Sequence, residues 1–225
     1  MSKLLAIETT EKLGSVAVSE CGNVLSYLEL PIEQRSAQSL APSIQTVLQQ
    51  AGWEIQSINK IAIAAGPGSF TGLRVGLATA RMLAYAVGAE IYGINTLQAI
   101  AANAVVAGIS KITAGQKMTV AIDAQRGDVS AQMFQFVPVC HSQQFFPEPI
   151  EERRLLSFAD WWRLAEKKEY NLPQPLLFSG TILQKIAASK PENVLLANAS
   201  LWLPSARGVS QIAWERVASG NADDL

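Results

Sequence analysis

The chain has 225 residues, of which 49% are hydrophobic and 16% charged, and its 18 basic and 19 acidic side chains give a net charge of −1. Disordered chains need low hydrophobicity with high net charge, and disulfide scaffolds need more than two cysteines, so both classes are excluded. The lack of a basic excess argues against a dedicated nucleic-acid binder. The single histidine, His141, excludes any site built from several histidines of this chain.

An uncharged stretch at residues 91–110 is long enough to be tested as a membrane-spanning helix. Glycine, asparagine, threonine and glutamine interrupt it, so a buried strand, a turn and a helix explain it better. The apolar run at the N-terminus is too short for the apolar region of a signal peptide. We therefore expect a soluble cytoplasmic protein that does not enter a membrane.

The first half of the sequence predicts three strands and then alternating helices and strands. Apolar runs and alternation indicate the strands, and apolar residues at three- and four-residue spacing indicate the helices. The predicted elements are strands at 3–9, 14–19 and 24–30, a helix at 36–51, a strand at 60–65, a helix at 71–87, a strand at 91–94 and a helix at 97–107. Gly52 and Gly88 stand where left-handed C-terminal caps belong.

A polar stretch at 110–116 marks a domain boundary, after which the same order begins again. The predicted elements are strands at 118–123 and 129–137, a helix opening at Ser157, a strand at 176–179, a helix at 181–188, a strand at 194–196 and a helix at 205–218. Asp160 follows Ser157 at the spacing of a capping box. We predict domains at 1–109 and 117–225, with the last helix, about 205–219, as a candidate to pack back on the first.

Both halves thus follow a ββαβα order, although the sequence identity between them is negligible. We predict a two-lobed α/β fold with a degenerate ββαβα duplication. This plan matches the superfold of actin, sugar kinases and heat-shock chaperones, abbreviated ASKHA. Likeness at the level of the fold says little about function.

The most distinctive local feature is the segment GPGSFTGLRVG at residues 66–76, between a predicted strand and a helix. Backbone amides at the start of a helix can bind an anion, so Gly66, Gly68 and Ser69 are candidate anion-binding residues. The spacing fits neither a Walker loop nor the dinucleotide fingerprint. Alternatively, Gly72 and Gly76 only let the helix pack closely against a neighbour, and the residues alone leave both interpretations open.

Two acidic residues end predicted strands. Glu8 is placed like the phosphate-loop carboxylate of the superfold, and Asp123 precedes the turn Gln125-Arg126-Gly127. Such a carboxylate can bind Mg²⁺ or a substrate hydroxyl, although a turn that needs Asp and Gly is more common. Together with the Gly66–Gly72 loop, these residues define an alternative function, an ATPase or small-molecule kinase of the actin-like fold.

Hydrolase and zinc sites find little support in the sequence. It contains no Gly-x-Ser-x-Gly nucleophile elbow, and Cys140-His141 is too small a set for zinc without further ligands. A surface histidine beside a half-buried cysteine explains this pair better.

Four segments together closely resemble the bacterial TsaB (YeaZ) family: IETT at 7–10, IAAGPGSFTGLRVG at 63–76, GINTL at 93–97 and IDAQRGDV at 122–129. The glycine segment is highly specific, and the resemblance covers roughly residues 3–130. The chain departs from the family pattern at Glu8, where Asp is usual, and at Gln125, where Arg is common.

The resemblance implies an actin-like fold and a role in forming N6-threonylcarbamoyladenosine at the adenosine 3′ of the anticodon in tRNAs that read codons beginning with A. It implies a noncatalytic scaffold and dimerisation subunit that supports the catalytic paralogue TsaD, with a TsaE-type ATPase as a further partner. The chain alone would form a homodimer and hold no cofactor. ATP and metal would belong to the partner subunits, and tRNA would be the substrate of the complex.

The resemblance also assigns residues. Thr96 and Ile100 stand where the catalytic paralogue has two metal-binding histidines, and neither side chain can replace imidazole as a ligand. We therefore expect no metal in this chain, which disfavours a metallopeptidase. In the family the first two helices form the dimer surface, and small residues at four-residue intervals would let another helix approach. The candidate interface residues are Leu40, Ile44, Gly72, Gly76, Ala80 and Ala84.

Overall fold

The computed structural model describes residues 2–31, 36–106, 112–139, 145–166, 176–185 and 195–220. Two compact units make up the chain: the first combines Met1–Ala99 with Pro204–Leu225, and the second is Ile100–Leu203. The boundary after Ala99 lies earlier than the predicted end of the first domain at residue 109, and the last helix, which was a candidate to pack back on the first domain, belongs to the first unit. The physical reason is that this helix buries its apolar side on the sheet of the first unit.

The described residues form eleven strands and five α-helices. In chain order they are β1 (Lys3–Glu8), β2 (Ser15–Glu20), β3 (Asn23–Glu29), α1 (Ser36–Gln50), β4 (Lys60–Gly66), α2 (Phe70–Val87), β5 (Glu90–Asn95), α3 (Thr96–Val106), β6 (Lys117–Gln125), β7 (Asp128–Pro138), β8 (Phe145–Pro149), β9 (Arg154–Ser157), α4 (Phe158–Glu166), β10 (Leu177–Ser179), β11 (Leu195–Leu196) and α5 (Ala206–Ala218). Short 3₁₀ helices lie at Ile55–Ser57, Thr181–Lys185 and Ala199–Leu201.

The first unit is built on a five-stranded sheet in the order β3-β2-β1-β4-β5. Antiparallel pairing joins β1, β2 and β3, and parallel pairing joins β1, β4 and β5. One face carries the main apolar core, in which side chains of β1, β2 and β4 pack against α1 and α2. Its buried members include Leu5, Ile7, Val16, Val18, Leu40, Ile44, Val47, Ile61, Ile63 and Ala80.

Helix α5 covers the other face of the same sheet. The evidence is that the residues of β2 that contact α5 alternate along the strand with the residues that face the main core. The backbone N–H of Ala206 donates to Ser15 Oγ at 2.9 Å. Ser19 Oγ lies 2.7 Å from Ser210 Oγ and accepts a hydrogen bond from Trp214 Nε1 at 2.8 Å. These buried polar contacts fix the position of α5 on a sheet whose first strands lie about 190 residues earlier in the chain.

The second unit has a sheet in the order β11-β10-β6-β7-β8, and β9 also pairs with β7. Its core is aromatic: Trp161, Phe178 and Trp202 are buried together, and the Trp161 and Phe178 rings meet edge to face at 5.3 Å. The indole N–H of Trp161 donates to Thr119 Oγ1 at 3.1 Å, so this buried polar group is satisfied.

The element order confirms the predicted α/β fold class, and most of the predicted elements agree with the observed ones. Strands β8 and β9 were not predicted, because prolines interrupt this stretch of the sequence; Pro147 and Pro149 are accommodated in β8, which lies at the edge of its sheet. The helix predicted at 181–188 is a 3₁₀ turn over Thr181–Lys185, and its remainder lies outside the described residues. Within the described ranges, every helix is too short or too polar to span a membrane.

Candidate functional site

The glycine loop lies between β4 and α2, as predicted, and is bound to the turn that follows β1. Ser69 N–H donates to the Thr10 carbonyl at 2.7 Å, and Thr9 Oγ1 donates to the Gly72 carbonyl at 2.8 Å. Ser69 is also the N-cap of α2, because its Oγ accepts from the Gly72 N–H at 3.3 Å. The structure thus brings the loop and the first-strand turn together.

Close packing explains three of the glycines in this segment. A Cβ on Gly72 would collide with the backbone carbonyl of Thr9, and one on Gly76 with Thr9 Oγ1. A Cβ on Gly68 would lie 2.5 Å from the Cβ of Thr10. The packing interpretation therefore has support at all three positions. The anion site at Gly66, Gly68 and Ser69 stays a prediction, and the Ser69 amide already has a partner within the chain.

Glu8, which precedes the turn that contacts the glycine loop, is completely buried at the end of β1. Its Oε1 accepts hydrogen bonds from the backbone N–H and the hydroxyl of Thr10, both at 2.5 Å. Oε2 has no hydrogen-bond partner among the described residues. Burial raises the pKa of the Glu8 carboxyl to about 8, so the group keeps its proton at neutral pH. A buried, protonated carboxyl is a poor ligand for Mg²⁺.

Asp123 belongs to the second unit, where it stabilises the hairpin between β6 and β7. Its Oδ1 accepts from the Gln125 N–H at 3.0 Å. Gln125, Arg126 and Gly127 all have positive φ, at 69°, 56° and 89°, so the turn places two non-glycine residues in the left-handed region. The common structural interpretation of this segment, a turn that needs Asp and Gly, therefore has direct support.

The two residues at the paralogue's histidine positions are buried. Thr96 begins α3, whose Leu97 N–H is capped by Asn95 Oδ1 at 2.9 Å, and Ile100 lies one turn further along. Thr96 Oγ1 has no hydrogen-bond partner among the described residues. Within the same ranges, no three His, Cys, Asp or Glu side chains are grouped so that they could hold a metal ion. Cys140 and His141 lie outside the described residues.

The predicted interface residues face inward, which corrects the expectation that they meet a partner. Leu40 and Ile44 are buried in the core of the first unit. Gly72, Gly76 and Ala80 form a buried stripe, which we call the inner face of α2, and Ala84 packs partly buried against the same core. These residues face inward because Gly72 and Gly76 approach Thr9 closely. Their small size lets α2 pack directly on the sheet of the first unit.

The opposite side of α2, which we call its outer face, exposes large apolar side chains that the sequence analysis did not single out. Phe70, Met82 and Tyr85 are 73%, 73% and 92% exposed. The Arg74 guanidinium lies 5.2 Å from the centre of the Phe70 ring, and Arg81 of the same helix is also exposed. The sequence did contain a signal for this face. Apolar residues occur on all sides of α2, although packing against one sheet needs them on one side only.

Charge is nearly absent from the side of the first unit that α1 and α2 form. Helix α1 contains no charged residue, and α2 contains only Arg74 and Arg81. The centres of protein interfaces are poor in Lys, Asp and Glu and rich in aromatic residues, Met and Arg. The outer face of α2 therefore has the composition of a protein-binding surface.

A family model described as TsaD, tRNA N6-adenosine threonylcarbamoyltransferase, matches residues 32–214. The tRNA threonylcarbamoyladenosine biosynthesis protein TsaB of Escherichia coli strain K12 is 30% identical over 165 residues, which cover 71% of this chain and 69% of that protein. The protein of the same name from Bacillus subtilis strain 168 is 27% identical over 182 residues, covering 79% and 70%. YeaZ from Pseudomonas aeruginosa superposes with a TM-score of 0.76 at 23% identity, covering 99% of this chain and 95% of that one.

The two sheets and the matched family model define a protein of the actin-like ASKHA fold among the proteins of tRNA threonylcarbamoyladenosine formation. Within that class, the chain belongs to the TsaB (YeaZ) family. The resemblance carried by the glycine segment and the predicted fold class are both confirmed.

Proposed function

We propose that this chain is the noncatalytic scaffold and dimerisation subunit of the complex that forms N6-threonylcarbamoyladenosine at the adenosine 3′ of the anticodon. The tRNA substrates of the complex read codons beginning with A, and a TsaD-type catalytic paralogue is the subunit that this chain supports. The observation that carries the proposal is the outer face of α2, where Phe70, Met82 and Tyr85 are exposed. The surface that α1 and α2 form around them is almost free of charge. Exposed apolar patches of this kind mark protein interaction sites.

The chemistry of the interior supports the noncatalytic part of the proposal. Thr96 and Ile100 occupy the positions equated with the paralogue's metal-binding histidines, and neither offers a ligand for iron or zinc. We assign the metal to the TsaD-type partner and ATP hydrolysis to a TsaE-type partner in the cytoplasm. When no partner is present, the outer face is free to pair two copies of this chain into a homodimer.

Reconstitution of the modification tests the proposal. TsaC-, TsaD- and TsaE-type proteins from the same organism are incubated with unmodified tRNA, threonine, bicarbonate and ATP, with and without this chain. The nucleosides are then quantified by mass spectrometry. We expect omission of the chain to lower the yield of threonylcarbamoyladenosine strongly. A yield that does not depend on the chain contradicts the proposed function.

The alternative of an ATPase or small-molecule kinase predicts Mg²⁺-dependent nucleotide turnover by the pure chain. Its proposed carboxylate, Glu8, is buried and protonated at neutral pH, and Thr10 occupies one of its oxygens. We therefore expect no turnover above that of a buffer control. Appreciable hydrolysis by the pure chain, lost in Asp123→Asn, would revive the alternative.

A further inference from the structure

We propose that one internal water molecule bridges the Glu8 carboxyl and the Thr96 hydroxyl, at the carboxyl ends of β1 and β5. Both side chains are completely buried in the first unit. Within the described part of the chain, Glu8 Oε2 and Thr96 Oγ1 have no hydrogen-bond partner. Buried polar groups in proteins are nearly always hydrogen-bonded to the protein or to ordered water, so each of these two atoms requires a partner.

The two side chains lie on the same face of the five-stranded sheet. Glu8 is directly opposite Ser15 in the register of β1 and β2, and Ser15 Oγ accepts a hydrogen bond from α5. Glu8 therefore faces the side that α5 covers, because directly opposite residues of two antiparallel strands share a face. Ile91 of β5 packs against the main core on the other face. Since side chains alternate along a strand, Thr96, five positions later, also falls on the side of α5.

Strand β4 lies between the two side chains and has only small residues at this end. In the order β1-β4-β5, the backbones of β1 and β5 are about 10 Å apart. Ala64 of β4 is level with Glu8, and Gly66 pairs with the last residue of β5. Neither has a side chain larger than a methyl group, so β4 does not fill this face with side chains of its own. Glu8, Thr96 and one water can together span the distance.

The hydrogen bonds of Glu8 determine which of its oxygens carries the proton. Oε1 accepts from both the backbone N–H and the hydroxyl of Thr10, so the proton belongs on Oε2. Desolvation by burial, followed by the negative charge of Glu11, raises the pKa of this carboxyl to about 8. Oε2 is therefore an O–H donor at neutral pH, while the Thr96 hydroxyl can both donate and accept.

Water suits these two groups better than an ion does. A protonated carboxyl and a hydroxyl offer no negative charge to a cation such as Mg²⁺. A buried anion would need a compensating positive charge, whereas the charged side chain that acts on the Glu8 carboxyl is another acid. Internal waters typically make about three hydrogen bonds, and they do so with buried polar groups that otherwise lack partners.

The bridge gives the carboxyl end of this sheet a structural role. The water joins the ends of β1 and β5, which do not pair with each other because β4 separates them. It also occupies the free oxygen of the carboxyl that is placed like the phosphate-loop carboxylate of the superfold. The proposal concerns the interior of the first unit and does not depend on the proposed scaffold function.

Crystal structures of the full-length chain, grown at about pH 6 so that Glu8 is protonated, test the bridge directly. We expect one ordered water within about 3 Å of both Glu8 Oε2 and Thr96 Oγ1. Thr96→Val keeps the shape of the side chain without its hydroxyl and should lose this water, whereas Thr96→Ser should keep it. Crystals of the unmodified chain soaked with Mg²⁺ and ATP should show the same water.

A double-variant cycle measures whether the two groups share a partner. Glu8→Met and Thr96→Val each leave one polar atom of the pair unsatisfied, whereas the double variant removes both atoms. We expect the double variant to raise the equilibrium constant of unfolding at least about fivefold less than the product of the two single effects. Glu8→Met combined with Thr46→Val is the control. Thr46 Oγ1 bonds to the Pro42 carbonyl of α1 and is exposed, so these two effects should simply multiply.

Four results overturn the proposal: a direct hydrogen bond between the two side chains, separate waters on the two atoms, another group of the chain in this place, or independent effects of Glu8→Met and Thr96→Val. If Glu8→Met does not fold, the crystal structures alone decide. Mg²⁺ or a phosphate of ATP bound at Glu8 also overturns the proposal and favours the ATPase or kinase alternative. An unchanged yield in the reconstitution contradicts the proposed function only, so the two proposals can fail separately.

Discussion

The two faces of helix α2 use the same 18 residues for opposite purposes. Its inner face is made of glycine and alanine and lies so close to Thr9 that a single added methyl group collides with it. Its outer face carries Phe70, Met82 and Tyr85, which touch little of the unit that holds them. The comparison teaches that small residues on a helix can serve the fold of the chain itself, while the bulky exposed residues remain for a partner.

The largest effect is expected at the inner face, from Gly72→Ala. Alanine in place of glycine inside a helix ordinarily stabilises by about 1 kcal/mol. Here the new Cβ would meet the Thr9 carbonyl, which is backbone and cannot rotate away, so we expect a loss of about 3 kcal/mol or more. Urea unfolding followed by circular dichroism measures the free energy.

The matched control for that substitution is Ala78→Gly on the outer face, which exchanges the same two residue types in the same helix. Ala78 is exposed, so only helix propensity should change, with a loss of about 1 kcal/mol. If Gly72→Ala proves as stable as the unmodified chain, the inner face is not packed as tightly as the structure has it.

The second effect concerns Glu8, which ends the strand under the inner face. The pKa of its carboxyl is about 8 in the folded chain and about 4.5 when exposed. Its contribution to stability is therefore fully present below pH 4.5 and is lost as the pH rises towards 8. The free energy of unfolding should therefore fall as the pH rises from 5 to 8.

Glu8→Gln tests this directly, because glutamine resembles the protonated carboxyl and can still accept from Thr10. The variant should lack the decline in stability between pH 5 and 8 that the unmodified chain shows, with Glu54→Gln at an exposed position as the control. Parallel pH profiles for Glu8→Gln and the unmodified chain would mean that the Glu8 carboxyl is ionised when buried.

The third effect separates the outer face from the inner one. Tyr85→Ala should change the free energy of unfolding by less than about 0.5 kcal/mol, because the side chain is 92% exposed. Affinity for the TsaD-type partner should fall about tenfold or more, as for an aromatic residue at the centre of an interface. Calorimetric titration measures the affinity.

Leu155→Ala, which removes another exposed apolar side chain from the second unit, serves as the control for Tyr85→Ala and should leave the affinity unchanged. Equal losses in the two variants would mean that the outer face of α2 is not the particular surface on which the partner binds.

Local signals in the sequence predicted the elements on which this comparison depends. Gly52 and Gly88 have φ of 68°, as expected for left-handed helix caps, and Ser157 and Asp160 form the predicted capping interaction. These features need only neighbouring residues, so the sequence contains all the information about them.

Features that depend on distant parts of the chain were not predictable in the same way. The periodicity of α2 revealed a stripe of small residues. The residue against which this stripe packs is Thr9, which lies more than sixty positions earlier in the chain. The stripe was therefore assigned to a partner in place of the chain's own sheet. In the same way, the contact of Ala206 with Ser15 spans 191 positions, and no local pattern identifies so distant a partner. The sequence therefore made the last helix only a candidate to pack on the first domain.

The smallest effect concerns the start of α2, where the inner and outer faces meet. Ser69→Ala removes the cap on the Gly72 N–H and should lower the free energy of unfolding by about 1 kcal/mol.

Since Ser69 supplies the cap and its own N–H is bound to Thr10, two of the groups that an anion would use already have partners. We therefore expect about 10 mM phosphate to leave the Tm of the unmodified chain unchanged, because only ligands that bind the folded state raise it. A rise in Tm with phosphate that is absent in Ser69→Ala would favour the predicted anion site at Gly66, Gly68 and Ser69 over a loop whose glycines serve packing alone.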